Sequence, residues 1–231
     1  MPTLAPRRRR GFEHLDDPDT PPALRERSLR DVRVANTLLG GTHAVLAELR
    51  RVLPTLGKTA TMLDVGTGLA DIPAASSKLA RKRGVQLGTF AVDEAESLLH
   101  AAATRVEQGV CADARHLPFA DASVDVVTCS QVLHHFTDDE VPDLLRELNR
   151  VARRCVVVSD LRRSWIAATG FWLVTWPLGF HPVSRHDGFT SVLRGFTSAE
   201  LARHVRKATG RAPHVRRHPG FRVTATWRSD V

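Results

Sequence analysis

Cysteine is scarce in this chain. Cys111, Cys129 and Cys155 are its three, odd in number and without C-x-x-C spacing. That argues against a disulfide framework and reads as reduced, buried thiols, each in or beside an apolar strand-like run, in a cytoplasmic protein. No apolar segment follows Arg7 to Arg10, because Phe12-Glu13-His14-Leu15-Asp16-Asp17-Pro18 is polar and turn-rich, so the start does not read as a secretory signal. Nor is there an unbroken apolar run of the ~20 residues that cross a bilayer. The uncharged stretch from Ser164 to Ser184 is interrupted by Gly170, Pro177, Gly179 and Pro182. No internal repeat is visible, and 42% hydrophobic with 25% charged residues excludes a disordered tail protein or a fibrous one. Lysine is rare: Lys58, Lys78, Lys82 and Lys207 stand among 33 basic residues, which against 25 acidic ones leave a net charge of +8. The arginines are spread along the whole chain instead of gathering on one element, so the excess reads as composition and not as a nucleic-acid footprint. No metal is expected.

A length of 231 residues suits one large domain. Residues 1–22 read as a disordered basic arm ending at Pro21-Pro22, and 23–57 as a helical cap split in two by Gly40-Gly41. From residue 58 to 231 apolar runs alternate with helix-forming segments. Strands are predicted at Thr61 to Gly66, Leu87 to Asp93, Val106 to Cys111, Val124 to Ser130 and Cys155 to Asp160. Helices are predicted at Ile72 to Arg83, Glu94 to Arg105 and Asp138 to Arg153, and a capping box at Thr197 and Glu200 opens another near Phe196 to Lys207. Two terminal strands, near Ala212 to Arg217 and Gly220 to Trp227, would add an antiparallel edge. The expectation is an α/β, Rossmann-like fold: a seven-stranded, mostly parallel sheet with helices on both faces and an N-terminal helical cap. Ligands of such sheets bind beyond the carboxyl ends of the strands.

The strand ends carry a patterned set of residues. Asp64-Val65-Gly66-Thr67-Gly68 closes the first strand, with glycine where backbone must approach a ligand or take positive φ. Asp93 closes the second, where a carboxylate can chelate two ribose hydroxyls. Asp113-Ala114 closes the third, followed by Leu117-Pro118-Phe119, and an acidic residue there can accept an adenine amino proton. The third glycine position of a dinucleotide fingerprint falls instead on Asp71, a carboxylate at a helix N-terminus that would repel a pyrophosphate.

Together with Asp125-Val126-Val127-Thr128-Cys129-Ser130-Gln131-Val132-Leu133-His134-His135-Phe136, these motifs resemble the class I S-adenosylmethionine-dependent methyltransferases over about residues 61–160. The resemblance implies S-adenosyl-L-methionine as cofactor, with Gly66 and Gly68 at its methionine and ribose part and Asp93 on the ribose hydroxyls. It also implies Asp113 on the adenine amine, Ser130 and Gln131 near the methyl group, and Asp64 and Ala114 on the same cofactor side. At the fourth strand's exit, Ser130-Gln131-Val132-Leu133 has neither the Asn/Asp-Pro-Pro-aromatic of nucleobase-amine enzymes nor the Pro-Cys of cytosine-carbon enzymes. What remains is similar to small-molecule enzymes, including those of quinone biosynthesis. Arg185-His186-Asp187-Gly188, Ser191-Val192-Leu193-Arg194 and Phe196-Thr197 also look like methyltransferases associated with type III polyketide synthases, which implies phenolic acceptors.

The expected activity is methyl transfer to a small apolar acceptor, most simply a phenolic oxygen. Carbon methylation of a quinone precursor is the alternative, and an RNA-directed methyltransferase or RNA-binding module the alternative of another class. A phenol titrates near ~10 and an imidazole near ~6.5, so a nearby histidine can assist deprotonation. His134, His135 and the His186-Asp187 pair are the candidates. The stretch 164–195 reads as an apolar substrate lid in which Trp165, Trp172 and Trp176 wall the acceptor pocket, with peripheral membrane contact as a further option. Arg25, Arg27, Arg30 and Arg33 could close over the cofactor carboxylate.

Overall fold

The computed structural model describes residues 5–9, 11–17 and 19–229. Seven strands form one sheet: β1 Thr59–Val65, β2 Gln86–Asp93, β3 Gln108–Cys111, β4 Val124–Ser130, β5 Ala152–Leu161, β6 His214–His218 and β7 Arg222–Arg228. Their order is β3-β2-β1-β4-β5-β7-β6. The first five run parallel, whereas β7 is antiparallel to both β5 and β6. Between β1 and β4 the order reverses, so the connections leaving their carboxyl ends run in opposite directions along the sheet, the place at which open α/β sheets bind ligands.

Eight α-helices accompany the sheet among the described residues: α1 Pro22–Leu38, α2 Gly41–Val52, α3 Asp71–Arg81, α4 Glu96–Ala102, α5 Val141–Val151, α6 Trp165–Thr175, α7 Pro182–Arg194 and α8 Ser198–Thr209. Because side chains alternate along a strand, each central strand supplies both faces. Met62, Val126 and Val157 join Val45 and Leu49 of α2 and Ala80 of α3 in one core. Leu63, Val127, Val156 and Val158 join Leu144, Leu145 and Leu148 of α5 and Leu201 of α8 in the other. Near-continuous Val-rich runs such as Val124–Ser130, buried throughout, are what a strand covered on both faces requires.

Several expectations are corrected at this level. The stretch 23–57 divides its contacts: α2 packs against the sheet core, with Thr42 near its start lining the cavity, while α1 reaches over the strand ends. Cys111 is exposed because it sits on the short edge strand β3, while Cys129 and Cys155 are buried. The described part of residues 1–22 is folded onto the domain. Arg8 accounts for this, since its guanidinium donates to the carbonyls of Arg194 (2.6 Å) and Phe136 (2.8 Å), pairs with Asp138 (2.8 Å) and stacks on Phe196 at 4.2 Å. Carbonyls at the end of a short 3-10 turn lack intrahelical donors, and an arginine fork supplies them. Glu13, also buried, pairs with Arg194 at 2.9 Å. Residues 1–4 of the expected arm lie outside the described residues.

Candidate active site

The loop after β1 is shaped from beneath. Gly66 and Thr67 donate their N–H groups to the Val92 carbonyl at 2.8 and 3.0 Å, which ties the loop to the end of β2. Gly66 takes φ +69°, and a Cβ there would stand 2.2 Å from Val132 Cγ2, so only glycine lets the loop pass the fourth strand's exit. Gly68, at φ +55°, has nothing within 4 Å of where a Cβ would stand, and it lines open cavity. Asp64 does not line the cavity, contrary to the cofactor-side expectation. It is buried and accepts hydrogen bonds from Thr67 (2.9 Å) and Thr128 (2.6 Å), and burial pushes its carboxyl up to about 6 against the pull of those hydroxyls. Its place is under the loop.

The other strand-end residues do line the cavity. Asp93 accepts from the N–H groups of Gly68 (2.8 Å) and Ala95 (3.0 Å), which fixes its carboxylate at the mouth of the glycine loop. Asp113 accepts from the Arg115 side chain and N–H, and these bonds hold its carboxyl down at about 2, beside Ala114. Ser130, at the end of β4, has a buried hydroxyl with no hydrogen-bond partner among the described residues. Gln131 follows in the left-handed region at φ +59°, with its N–H on the Ser159 carbonyl. Its side-chain oxygen accepts from Arg222 at 2.9 Å.

The histidines divide. His134 lies in a short 3-10 turn, Leu133–His135, is buried, and lines the cavity. Its backbone N–H donates to one oxygen of Asp160 at 3.1 Å, and its ring Nδ1 meets the other at 2.7 Å. Asp160 is fully buried at the end of β5. Burial opposes its charge, yet the adjacent His134 ring and the Leu161 N–H hold its carboxyl below the ordinary value. A carboxylate on Nδ1 fixes the tautomer and leaves Nε2 as the working nitrogen. His135 lines the cavity beside it, ring centroids 4.3 Å apart. Glu13, His134 and His135 bring possible ligand atoms within 4.8 Å of one another, but Glu13 already pairs with the Arg194 guanidinium.

His186 and Asp187 are not in the cavity. They lie on α7, and they contact each other at 3.1 Å despite being adjacent in sequence. Asp187 is occupied by the backbone N–H groups of His14 (3.0 Å) and Leu15 (3.1 Å), so it anchors the N-terminal segment. Gly188 is mid-helix, and a Cβ on it would stand 2.2 Å from the Phe171 ring.

The cavity, about 1170 Å³, runs from the glycine loop to a compartment beneath α6. That compartment is walled by Ile166, Ala167, Phe171 and Val174 of α6, with Phe180 and Leu29. Trp165, Trp172 and Trp176, expected to form this wall, face outward at 40%, 40% and 70% exposure. All sides of α6 are apolar, so its pattern does not reveal which face turns inward. Of the four arginines expected near the cofactor, Arg33 lines the cavity, Arg27 and Arg30 do not, and the Arg25 side chain lies outside the described residues.

Two charged residues of the site escaped the sequence reading. Asp160, behind His134, is a fourth strand-end aspartate after Asp64, Asp93 and Asp113, a signal of the same kind as Asp93. Arg222 opens β7 and is 2% exposed, and burial pulls its pKa down to about 10. It donates to Gln131, Asn36 (3.5 Å) and the Leu39 carbonyl (3.4 Å), all neutral, and no carboxylate within ion-pair distance is found among the described residues.

Comparison with known proteins was made on this geometry. Residues 63–157 match the family described as "Methyltransferase domain". A biotin biosynthesis bifunctional protein, BioHC, of Cellvibrio japonicus is 35% identical over 121 residues, covering 51% of this chain and 22% of that protein. A demethylmenaquinone methyltransferase of Thermotoga maritima is 30% identical over 124 residues, covering 50% of this chain and 52% of that one. The chain thus spans about half or less of the length of these curated relatives. Among solved structures, magnesium protoporphyrin IX methyltransferase of Synechocystis PCC 6803 with bound S-adenosylhomocysteine aligns with TM-score 0.58 at 15% identity, over 86% of this chain and 85% of that one, a likeness of fold.

Proposed function

We propose, from the premise that residues 63–157 are a class I S-adenosylmethionine-dependent methyltransferase domain, that the chain transfers a methyl group from S-adenosylmethionine to the hydroxyl oxygen of an apolar phenol. One observation carries this reading: a single cavity joins the glycine loop to the apolar compartment under α6, and it is lined by His134, whose ring is held from behind by the buried Asp160.

The residues present fit the cofactor. Gly68 leaves room that a side chain would fill, Ser130 offers an unpartnered buried hydroxyl, and Asp93 presents a carboxylate beside the loop. Gly66, Gly68, Asp93, Asp113, Ala114, Ser130 and Gln131 would hold the nucleoside and amino-acid portions. When bound, S-adenosylmethionine supplies a methyl group already activated on a sulfonium sulfur.

The protein's own work is then positioning and proton removal. The apolar wall of Ile166, Phe171, Val174 and Phe180 holds the acceptor's apolar body, with α6 and α7 together as the lid. His134, oriented by Asp160, accepts the hydroxyl proton on Nε2 as the oxygen–methyl bond forms and the sulfur–methyl bond breaks. The buried positive charge of Arg222, which lines the same cavity, favours an acceptor that reacts as an oxyanion. His135 remains a second candidate for the proton.

The likeness to a demethylmenaquinone methyltransferase favours a second reading, methylation at a quinol carbon. Incubating the protein with isotopically labelled S-adenosylmethionine and a panel of alkylphenols and quinols, then locating the methyl group by NMR, separates them. An aryl methyl ether supports the first reading and a ring C-methyl product the second. No product from either class, with S-adenosylmethionine bound, would sink both.

A further inference from the structure

Helix α6 carries no charged residue and has three differently occupied sides. Ala167, Ala168 and Thr175 are buried, and Ile166, Gly170, Phe171 and Val174 line the cavity. The third side is Trp165, Trp172 and Leu173, continued by Trp176 and Leu178, at 40%, 40%, 59%, 70% and 49% exposure. Residues 165, 172, 173 and 176 share one helical face, so this is a continuous apolar strip and not scattered exposure.

Positive charge surrounds it. The Arg185 guanidinium lies 4.1 Å over the Trp172 ring and 5.9 Å from Trp176, and Arg9 lies 5.3 Å over Trp165. Arg27 reaches the Gly179 carbonyl at 2.9 Å. Between Ser164 and His186 the sequence has no Asp or Glu. Two nearby carboxylates are turned inward, Asp187 at 3% exposure and Asp31, which is 3.8 Å from Arg27 and accepts from the His181 N–H, while the exposed Glu26 is paired with Arg30.

We propose that this face docks on an anionic lipid bilayer, with its tryptophans at headgroup depth and Arg9, Arg27 and Arg185 on lipid phosphates. Tryptophan with arginine is the chemistry of a membrane–water interface, where an amphipathic ring and a long cationic side chain each keep one end wet. No helix among the described residues is long and apolar enough to cross a membrane, so the contact is one of lying on the surface. A second copy of the chain fits less well. A two-fold interface would set Arg9, Arg27 and Arg185 against their own counterparts, with the exposed Glu26 nearby already paired with Arg30.

The face also borders the cavity. Val32, Ile166 and Val174 are each both exposed and cavity-lining, at 38%, 55% and 50%. Docking would set this rim against the acyl region, so that a lipophilic acceptor passes into the cavity without crossing water. This delivery step rests on the function proposed above, whereas the docking does not.

The test is flotation of the full chain with phosphatidylcholine vesicles made with and without phosphatidylglycerol, read alongside tryptophan emission and S-adenosylhomocysteine affinity in the same samples. The proposal expects binding to the anionic vesicles with a blue shift, release by salt, and weak binding to neutral ones. Trp172→Ser with Trp176→Ser should weaken binding by roughly tenfold, and Arg185→Gln by about fivefold, with cofactor affinity and circular dichroism unchanged. If the tryptophan variant misfolds, Arg9→Gln with Arg185→Gln carries the test. Wild type that ignores anionic vesicles at low salt overturns the docking, as does equal binding by the variants or a dimer that the tryptophan variant dissociates. Vesicle binding without S-adenosylhomocysteine binding upholds the docking and overturns the proposed function.

Discussion

Asp64 makes a measurable contribution to the pH dependence of stability. Burial pushes its folded pKa up to about 6, above the ordinary aspartate value of 3.8, so the folded chain binds this proton more tightly than the unfolded one. Its contribution is therefore complete below about 4 and is lost as pH rises through about 6, a change on the order of 3 kcal/mol. Asp113 acts oppositely in a separate window: its carboxyl is held at about 2, so its contribution is present above about 4 and lost as pH falls towards 2. Urea midpoints of wild type and Asp64→Asn between pH 4.5 and 7 should differ increasingly as pH rises, with wild type losing ground. At the cavity, Asp160 is a positioning residue and His134 the candidate base. His134→Gln should lower kcat by about a hundredfold, with S-adenosylhomocysteine affinity unchanged. Asp160→Asn should lower kcat as well and move the pH profile, whereas a merely structural role would alter Tm without moving the profile. That the expected cofactor residues other than Asp64 line the cavity was legible because each lies at or just beyond the end of a strand, a position that short apolar runs mark in sequence. Asp160 also ends a strand, but its role becomes visible only when the 133–135 turn is brought against it. His186 and Asp187 looked like a catalytic pair in one dimension, and the fold spends Asp187 on the backbone of His14 and Leu15.

At the scale of elements, helix α8 behaves as its sequence says. Thr197 accepts from the Glu200 N–H and Glu200 from the Thr197 N–H, a reciprocal capping box. Thr197→Ala should cost about 1 kcal/mol, checked by urea unfolding at pH 7. The box survives packing because it is local, satisfying orphan donors within one turn. The parallel strands were legible for a related reason, since a strand covered on both faces must be apolar along its length. Helix α6 was not, because a segment apolar on all sides has no periodicity from which to choose a face. The tryptophans were expected to wall the acceptor pocket, but Ile166, Gly170, Phe171 and Val174 line the cavity and the indoles face out. The last turn of the predicted Glu94 to Arg105 segment was lost as well, with α4 running only from Glu96 to Ala102.

Across the whole molecule, segments far apart in sequence converge on one loop. Arg8 reaches the carbonyl of Phe136 and the side chain of Asp138, and Arg222 reaches Gln131 from the far end of the chain. The loop carrying His134 is thereby held by the N-terminal segment, by β5 and by β7. No single-sequence pattern announces such long-range guanidinium contacts, which is why a basic start read as a free arm and β7 as a plain edge strand. The excess of +8 is likewise explained in part by arginines that serve as internal braces. The central claim, a strand-end site for S-adenosylmethionine, is tested most directly by isothermal titration of wild type and Asp93→Ala with S-adenosylmethionine, S-adenosylhomocysteine and NADH. The account predicts micromolar binding of both sulfur compounds, none of NADH, and a loss of affinity of about a hundredfold in Asp93→Ala, as removal of a bidentate carboxylate acceptor requires. Binding of NADH alone, or sulfur-compound affinity indifferent to Asp93, would contradict it.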